Sequence, residues 1–266
     1  SIKCDADAGT VTLVNRLSCG GETLTVRIFD EQGELVAMKR TPVEASQAAN
    51  PAMTRTMTLQ VRSPNLWSPD SPYLYRLELL YGADAVESYC AFRTVEIAAD
   101  AQGVPRIMLN HEPLFVRGVL DQGYWPDGLM TAPSDAALEF DIRTMKDLGF
   151  NLLRKHLKRE SDRGYFHCDR IGMLVWQDMV SGGGTYDGWE TSYKPTLWRG
   201  SWGDYSDTSA SHQRRLGADD VAYQRQWMRE CRGTVAHLRA HPSVVTWVLF
   251  NEGWGQFDTL ACAEEI

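Results

Sequence analysis

From residue 114 to residue 250 short apolar runs alternate with helical patterns, and this alternation constrains the fold more than anything else in the chain. Residues 114–118 (LFVRG) read as a short strand ending in glycine. A helix is expected over 133–148, with Ser134 as N-cap, Gly149 as the stop and Leu138, Ile142 and Met145 on its apolar stripe. A strand at 151–154, a helix at 161–171 stopped by Gly172, and a strand at 173–176 running into Gln177-Asp178 follow. A helix over 219–239, with Trp227, Cys231, Val235 and Leu238 inward, leads to the apolar run 244–250. Apolar runs of that length suit strands covered on both faces of a parallel sheet. Strand, helix, strand in repetition makes that sheet parallel, and right-handed crossovers bring all the carboxyl ends to one side. Asp121, Arg154, His156, Asp178, Asn251 and Glu252 are then expected to gather there. A full eight-stranded barrel takes about 250 residues. Residues 103–266 carry only the first (β/α)4 half of such a TIM-type barrel.

Residues 1–102 have a different rhythm. Segments 11–14, 24–29, 57–61 and 74–79 are strand-like, and Gly20-Gly21, Glu31-Gln32-Gly33, Pro64-Asn65 and Ser68-Pro69-Asp70 punctuate them. Several short strands within about 100 residues predict an all-β immunoglobulin-like sandwich. The chain is therefore expected to be multi-domain, with the sandwich at 1–102 and the half-barrel at 103–266.

Composition narrows the function. A net charge of −8 argues against nucleic acid and anionic membrane as partners. No apolar run reaches the roughly 20 residues of a membrane span. The six cysteines are scattered without a C-x-x-C pair, so no zinc ribbon is expected. Most suit small buried positions, and a bridge among Cys4, Cys19 and Cys90 stays open. His237 and His241 have H-x-x-x-H spacing, but Pro242 and Leu238 do not fit a zinc helix. Gly182-Gly183-Gly184 lacks the Lys-Ser/Thr of a phosphate loop. No metal and no cofactor is expected. The N-terminus, Ser1-Ile2-Lys3-Cys4, reads as a cut inside a longer polypeptide, leaving compartment open between cytoplasmic and periplasmic or secreted.

The chemistry concentrates at the end of the fourth strand. Glu252 stands beside Asn251, with Trp247 and Trp254 close by. An acid just beyond a barrel strand sits where such barrels keep their catalytic groups, and indole is a common surface for sugar rings. Glu252 is thus the candidate general acid/base of a glycosidase.

Four stretches carry a resemblance to glycoside hydrolase family 2, the family of β-galactosidases, β-glucuronidases and β-mannosidases. Residues 65–75 (NLWSPDSPYLY), with Ala91-Phe92-Arg93, resemble the end of that family's immunoglobulin-like domain. Residues 109–119 (LNHEPLFVRGV) resemble the approach to its barrel, 149–154 (GFNLLR) its second strand and 248–252 (VLFNE) its fourth. The resemblance implies retaining hydrolysis of terminal β-glycosidic bonds, with a β-glycoside as substrate. It makes Glu252 the acid/base, has Asn251 contact the sugar 2-hydroxyl, and has Arg154 hold the nucleophilic glutamate. That glutamate follows a seventh strand in the family and matches no residue here. Asp178, Asp121, His156, Trp125 and Trp254 are the further expected sugar contacts. His156 lies two positions after Arg154, where relatives often carry a histidine three positions on and this chain has Leu157. Residues 181–217 are long for a connection and rich in aromatics (Tyr186, Trp189, Tyr193, Trp198, Trp202, Tyr205), which predicts a lid, a mobile segment or an aglycone wall. By itself the chain is expected to be inactive, and the alternative is an inert carbohydrate-binding or structural module. An uncovered half-barrel would also favour a homo-oligomer.

Overall fold

Val11 and Leu13, two residues apart, are 0 and 2 % exposed while Thr10 before them and Thr12 between them are not buried, and this period-two burial builds the first half of the molecule. The structure, a computed structural model, describes residues 1–45, 53–198, 200 and 205–266. Contacts divide it into two compact units.

One unit comprises Ser1–Arg117, Phe166–Met173 and Ala240–Ser243. Its strands are β1 (Ile2–Asp5), β2 (Thr10–Leu17), β3 (Thr23–Phe29), β4 (Leu35–Pro42), β5 (Met53–Gln60), β6 (Tyr75–Tyr81) and β7 (Asp84–Cys90). They form two antiparallel sheets, β1-β2-β5 and β4-β3-β6-β7, as in an immunoglobulin-like sandwich. Inward residues of both sheets make one core, among them Val11, Leu13, Val26, Ile28, Met57 and Leu77. Each such side chain contributes about 1.5–3 kcal/mol when fully buried. A third sheet pairs β8 (Val95–Ala99), β9 (Pro105–Leu109) and β10 (Glu112–Pro113).

A buried polar hub closes this unit. Asp169 is 0 % exposed. Its carboxylate accepts from Tyr89 Oη at 2.7 Å and from Ser243 N at 3.0 Å, and lies 2.7 Å from His241 Nδ1. Its backbone carbonyl accepts from Trp67 Nε1 at 2.8 Å, while Arg93 Nε donates to Pro242 O at 2.7 Å. Burial pulls the Arg93 guanidinium below its ordinary pKa, and the Asp169 charge works against that pull. The tryptophan of the NLWSP stretch and the arginine of AFR are thus anchors of this hub.

The second unit comprises Gly118–Tyr165, Leu174–Arg239 and Val244–Ile266. Strands β11 (Gly118–Asp121), β12 (Leu152–Lys155), β13 (Leu174–Asp178) and β14 (Val244–Val248) lie side by side in chain order, all parallel. Helices α1 (Asp135–Asp147), α2 (Asp162–Ile171, whose residues from Phe166 on count with the first unit), α3 (Lys194–Leu197), α4 (Ala210–Arg215) and α5 (Val221–Leu238) occupy the connections, and α6 (Thr259–Glu265) follows β14. This is a partial barrel after a sandwich, as the alternation predicts. Ser134 caps α1 by accepting from Ala137 N, and Asp220 caps α5 by accepting from Ala222 N. Among the described residues no helix is long and apolar enough to cross a membrane.

Two expectations need correction. The first barrel strand is Gly118–Asp121 and not 114–118. Leu114 N donates instead to Ile107 O, which keeps that stretch with β9. Strand β14 stops at Val248, two residues early, because Phe250 turns to stack on Trp227 of α5 at 4.4 Å and 10°. The long segment after β13 has regular structure of its own. It holds α3, α4 and a π-helical turn, Trp189–Tyr193.

Candidate active site

Strand register decides which side chains meet. Leu120, Arg154 and Trp176 are partners across β11, β12 and β13, so they share one face of the sheet. Asp178, two residues past Trp176, shares it too. Arg154 forks onto Asp178: Nε donates to Oδ1 and Nη2 to Oδ2, both at 2.9 Å. Nη2 also donates to Asn251 Oδ1 at 2.8 Å. Three strand ends thus converge in one bidentate, charge-assisted cluster. Asp178 is 1 % exposed and Asn251 7 %. Because Asn251 Oδ1 faces the guanidinium, its amide hydrogens face away. Nδ2 is buried with no partner among the described residues, a state that costs about 1–3 kcal/mol until an acceptor arrives.

Glu252 follows directly. Its backbone is left-handed, φ +54, in a non-glycine residue, which is strain of the kind that collects at functional sites. The side chain is exposed, and no described residue hydrogen-bonds its carboxyl. Trp254 lies on the same turn, closed by Trp254 N donating to Asn251 O at 3.1 Å. The Tyr186 ring stacks on it at 5.5 Å and 10°.

The remaining sequence-derived candidates gather elsewhere in this unit. Asp121 pairs with Lys155 Nζ and accepts from Gly123 N. As register partners these two point to the face opposite Arg154. There a cavity of about 340 Å³ is lined by Val119, Asp121, Trp125, Asp141, Lys155 and Glu160 among others. Burial pushes the Asp141 carboxyl above its ordinary pKa, with Asp121 adding to the rise and Lys155 opposing it. His156 Nδ1 lies 3.2 Å from Gln122 Nε2, beside the loop after β11. So Arg154, Asp178 and Asn251 are brought together, with Glu252 and Trp254 on the adjoining turn. Asp121 ends β11, Trp125 lies in the loop after it, and His156 follows β12 beside that loop. Sequence reasoning missed Lys155, Asp141 and Glu160; the first two are charges near apolar residues, while Glu160 sits in a run of charged residues that gives no signal. Trp202 lies outside the described residues. The two histidines of the H-x-x-x-H spacing are committed to separate carboxylates, His237 to Asp162 and His241 to Asp169. All six cysteines are free thiols, four of them buried.

Comparison with known proteins follows the same division. Residues 10–93 match the sequence model of "Glycosyl hydrolases family 2", and residues 103–264 match that of "Glycosyl hydrolases family 2, TIM barrel domain". The β-galactosidase of Vibrio cholerae is 27 % identical over 237 residues, covering 85 % of this chain and 20 % of that protein. The β-galactosidase large subunit of Leuconostoc lactis is 25 % identical over 260 residues, covering 96 % of this chain and 37 % of that protein. Among solved structures, a family 2 glycosyl hydrolase from Bacteroides cellulosilyticus superposes with a TM-score of 0.62 at 25 % identity, covering 94 % of this chain and 30 % of its own. The β-D-glucuronidase of Dictyoglomus thermophilum gives 0.72 at 18 %, covering all of this chain and 41 % of its own, a likeness of fold. The chain therefore spans between a fifth and two-fifths of the length of these relatives.

Proposed function

Because the chain belongs to glycosyl hydrolases family 2, we propose that it carries the acid/base side of a retaining β-glycosidase, with Glu252 as proton donor. The observation that carries this reading is the convergence of three strand ends, Arg154, Asp178 and Asn251, at the residue preceding a backbone-strained glutamate. We read residues 1–102 as the sandwich and 103–266 as the barrel half of that enzyme.

In retaining hydrolysis two carboxyl groups stand about 5–5.5 Å apart. One attacks the anomeric carbon and forms a glycosyl-enzyme while the bond to the leaving oxygen breaks. The other protonates that oxygen, then takes a proton from the water that releases the sugar. Glu252 suits the second role. Asn251 Nδ2 is turned away from Arg154 and suits a hydrogen bond to the sugar 2-oxygen, a contact that strengthens in the transition state. Arg154 Nη1 has no partner among the described residues and is suited to hold an ionised nucleophile. Asp178 is a poor nucleophile, because both its oxygens accept from Arg154 and it is 1 % exposed. The nucleophile is then a carboxylate outside this chain. Asp121, Trp125 and His156 remain candidates for outer sugar contacts.

The substrate class is a terminal β-glycoside, since the relatives named above are β-galactosidases and β-glucuronidases. Neither nucleic acid nor membrane is proposed as a partner. Self-association is proposed through the sheet face that carries Leu120, which is 55 % exposed. A purely monomeric species in sedimentation would end that part of the reading.

The test is Glu252→Gln in the complete enzyme carrying this chain. Turnover of an alkyl β-glycoside is expected to fall roughly 10²–10⁴-fold. Formation of the glycosyl-enzyme from a dinitrophenyl glycoside, whose leaving group needs no proton, is expected to fall far less. Equal loss with both substrates, or no loss, would reject Glu252 as the acid.

A further inference from the structure

A general acid donates its proton to the oxygen that departs with the leaving group. A surface fixed beside that acid therefore meets the aglycone and not the sugar that stays behind. Trp254 is such a surface, two residues from Glu252 on one hydrogen-bonded turn. Tyr186 covers one face of its indole in a parallel stack, and Tyr186 itself is 41 % exposed.

The stack is held from both of its segments. Tyr186 lies between two anchored residues: Gly184 N donates to Gly217 O at 2.7 Å and Asp187 N to Arg215 O at 2.6 Å. On the Trp254 side, Gly255 N donates to Leu216 O at 2.8 Å and Gly255 O accepts from Tyr223 Oη at 3.0 Å. The crossing leaves no space for side chains. A Cβ on Gly255 would stand 2.2 Å from Tyr223 Oη and 2.3 Å from Gly182 O. One on Gly217 would stand 2.5 Å from Gly184 O. Farther along, Arg215 and Lys194 both pair with the buried carboxylate of Glu190. The aromatic segment at this point is a braced wall.

We propose that Tyr186 and Trp254 form an aglycone subsite that selects leaving groups with a flat ring, aromatic or pyranose, over small alkyl groups. The assignment of this side to the aglycone rests on the reading of Glu252 as proton donor, whereas the ring preference is a binding property measurable without turnover. Gly255 and Gly217 act as positioning residues through the stack.

The experiment is equilibrium binding to the full chain of phenyl and methyl β-D-galactoside and of phenyl and methyl β-D-glucuronide, followed by ligand-observed NMR. An aromatic contact of this kind corresponds to roughly two- to tenfold tighter binding of the phenyl compound. That preference is expected to vanish in Tyr186→Ala and Trp254→Ala, to survive in Tyr186→Phe, and to shrink in Gly255→Ala although both rings remain. Circular dichroism on each variant separates loss of the stack from loss of the fold. Glu252→Gln is expected to keep the preference while losing hydrolysis in the complete enzyme, so the subsite and the acid fail independently. Equal affinity for phenyl and methyl glycosides, no saturable binding of any phenyl glycoside, or a preference that persists without either ring would overturn the proposal.

Discussion

Replacing Asp169 with alanine removes the carboxylate on which three polar groups from two segments converge. Tyr89 Oη and His241 Nδ1 lie 2.7 Å from Oδ2, and Ser243 N lies 3.0 Å from Oδ1. The carboxylate is 0 % exposed, so water cannot take over these donors in place. Breaking a buried, hydrogen-bonded charge site by removing one partner costs about 3–5 kcal/mol. Against a whole-protein stability of about 5–15 kcal/mol this is severe. At roughly 2–4 °C per kcal/mol, the transition of the unit containing the sandwich should fall by about 6–20 °C in calorimetry. Asp169→Asn divides the effect. An amide can accept from Ser243 N and donate to Tyr89 Oη and to a neutral His241 Nδ1, provided the imidazole proton moves to Nε2. It cannot replace the negative charge that favours ionised Arg93. Asparagine is therefore expected to cost about 1–3 kcal/mol, less than alanine. If alanine costs under about 1 kcal/mol, or if asparagine costs more than alanine, the hub does not hold the unit together as argued.

Other outcomes follow from the same reasoning. Arg154→Lys keeps the charge but cannot reach Asp178 and Asn251 in fork geometry, so it should cost about 1–3 kcal/mol in chemical denaturation, and stability equal to the parent would refute the fork's importance. Hydrogen bonds donated to Asp7 and then Glu96 raise the His111 pKa above its ordinary value. Its contribution to stability is complete below about pH 6.5 and is lost as pH rises through the raised pKa, so NMR titration should place the His111 midpoint above a free histidine's, and His111→Asn should flatten that part of the pH profile. Burial pushes Cys231 up to about 12 and Cys262 up to about 11. At pH 8 a thiol reagent should label exposed Cys19 quickly and these two only on unfolding, as mass spectrometry of the labelled peptides can decide.

What the sequence made legible had a physical reason in each case. Helix α1 was readable because Ser134 and Gly149 punctuate it. The fork was readable as a gathering of strand ends because parallel crossovers leave carboxyl ends on one side. Strands β4 and β7 were not readable, since most of their side chains are exposed and carry little alternation. Asp121 depended on register. With the strand ending at Gly118 it belongs to a loop at the barrel mouth. With the strand at Gly118–Asp121, side-chain parity sends it with Lys155 to the face opposite Arg154. The pairing of Tyr186 with Trp254 is set by backbone crossings near Gly217 and Gly255 that no local pattern announces.

The unit that contains the sandwich is discontinuous in sequence: its last pieces are Phe166–Met173 and Ala240–Ser243. On a ribosome, where synthesis runs at about 5–20 residues per second, the strands emerge first and then wait on the order of ten seconds for His241 and Ser243 to reach Asp169. During that interval Tyr89 and Arg93 belong to a nascent sandwich whose base is unfinished. Vectorial folding here must therefore loop back, because strands that emerge earlier wait for Ala240–Ser243 to complete their unit.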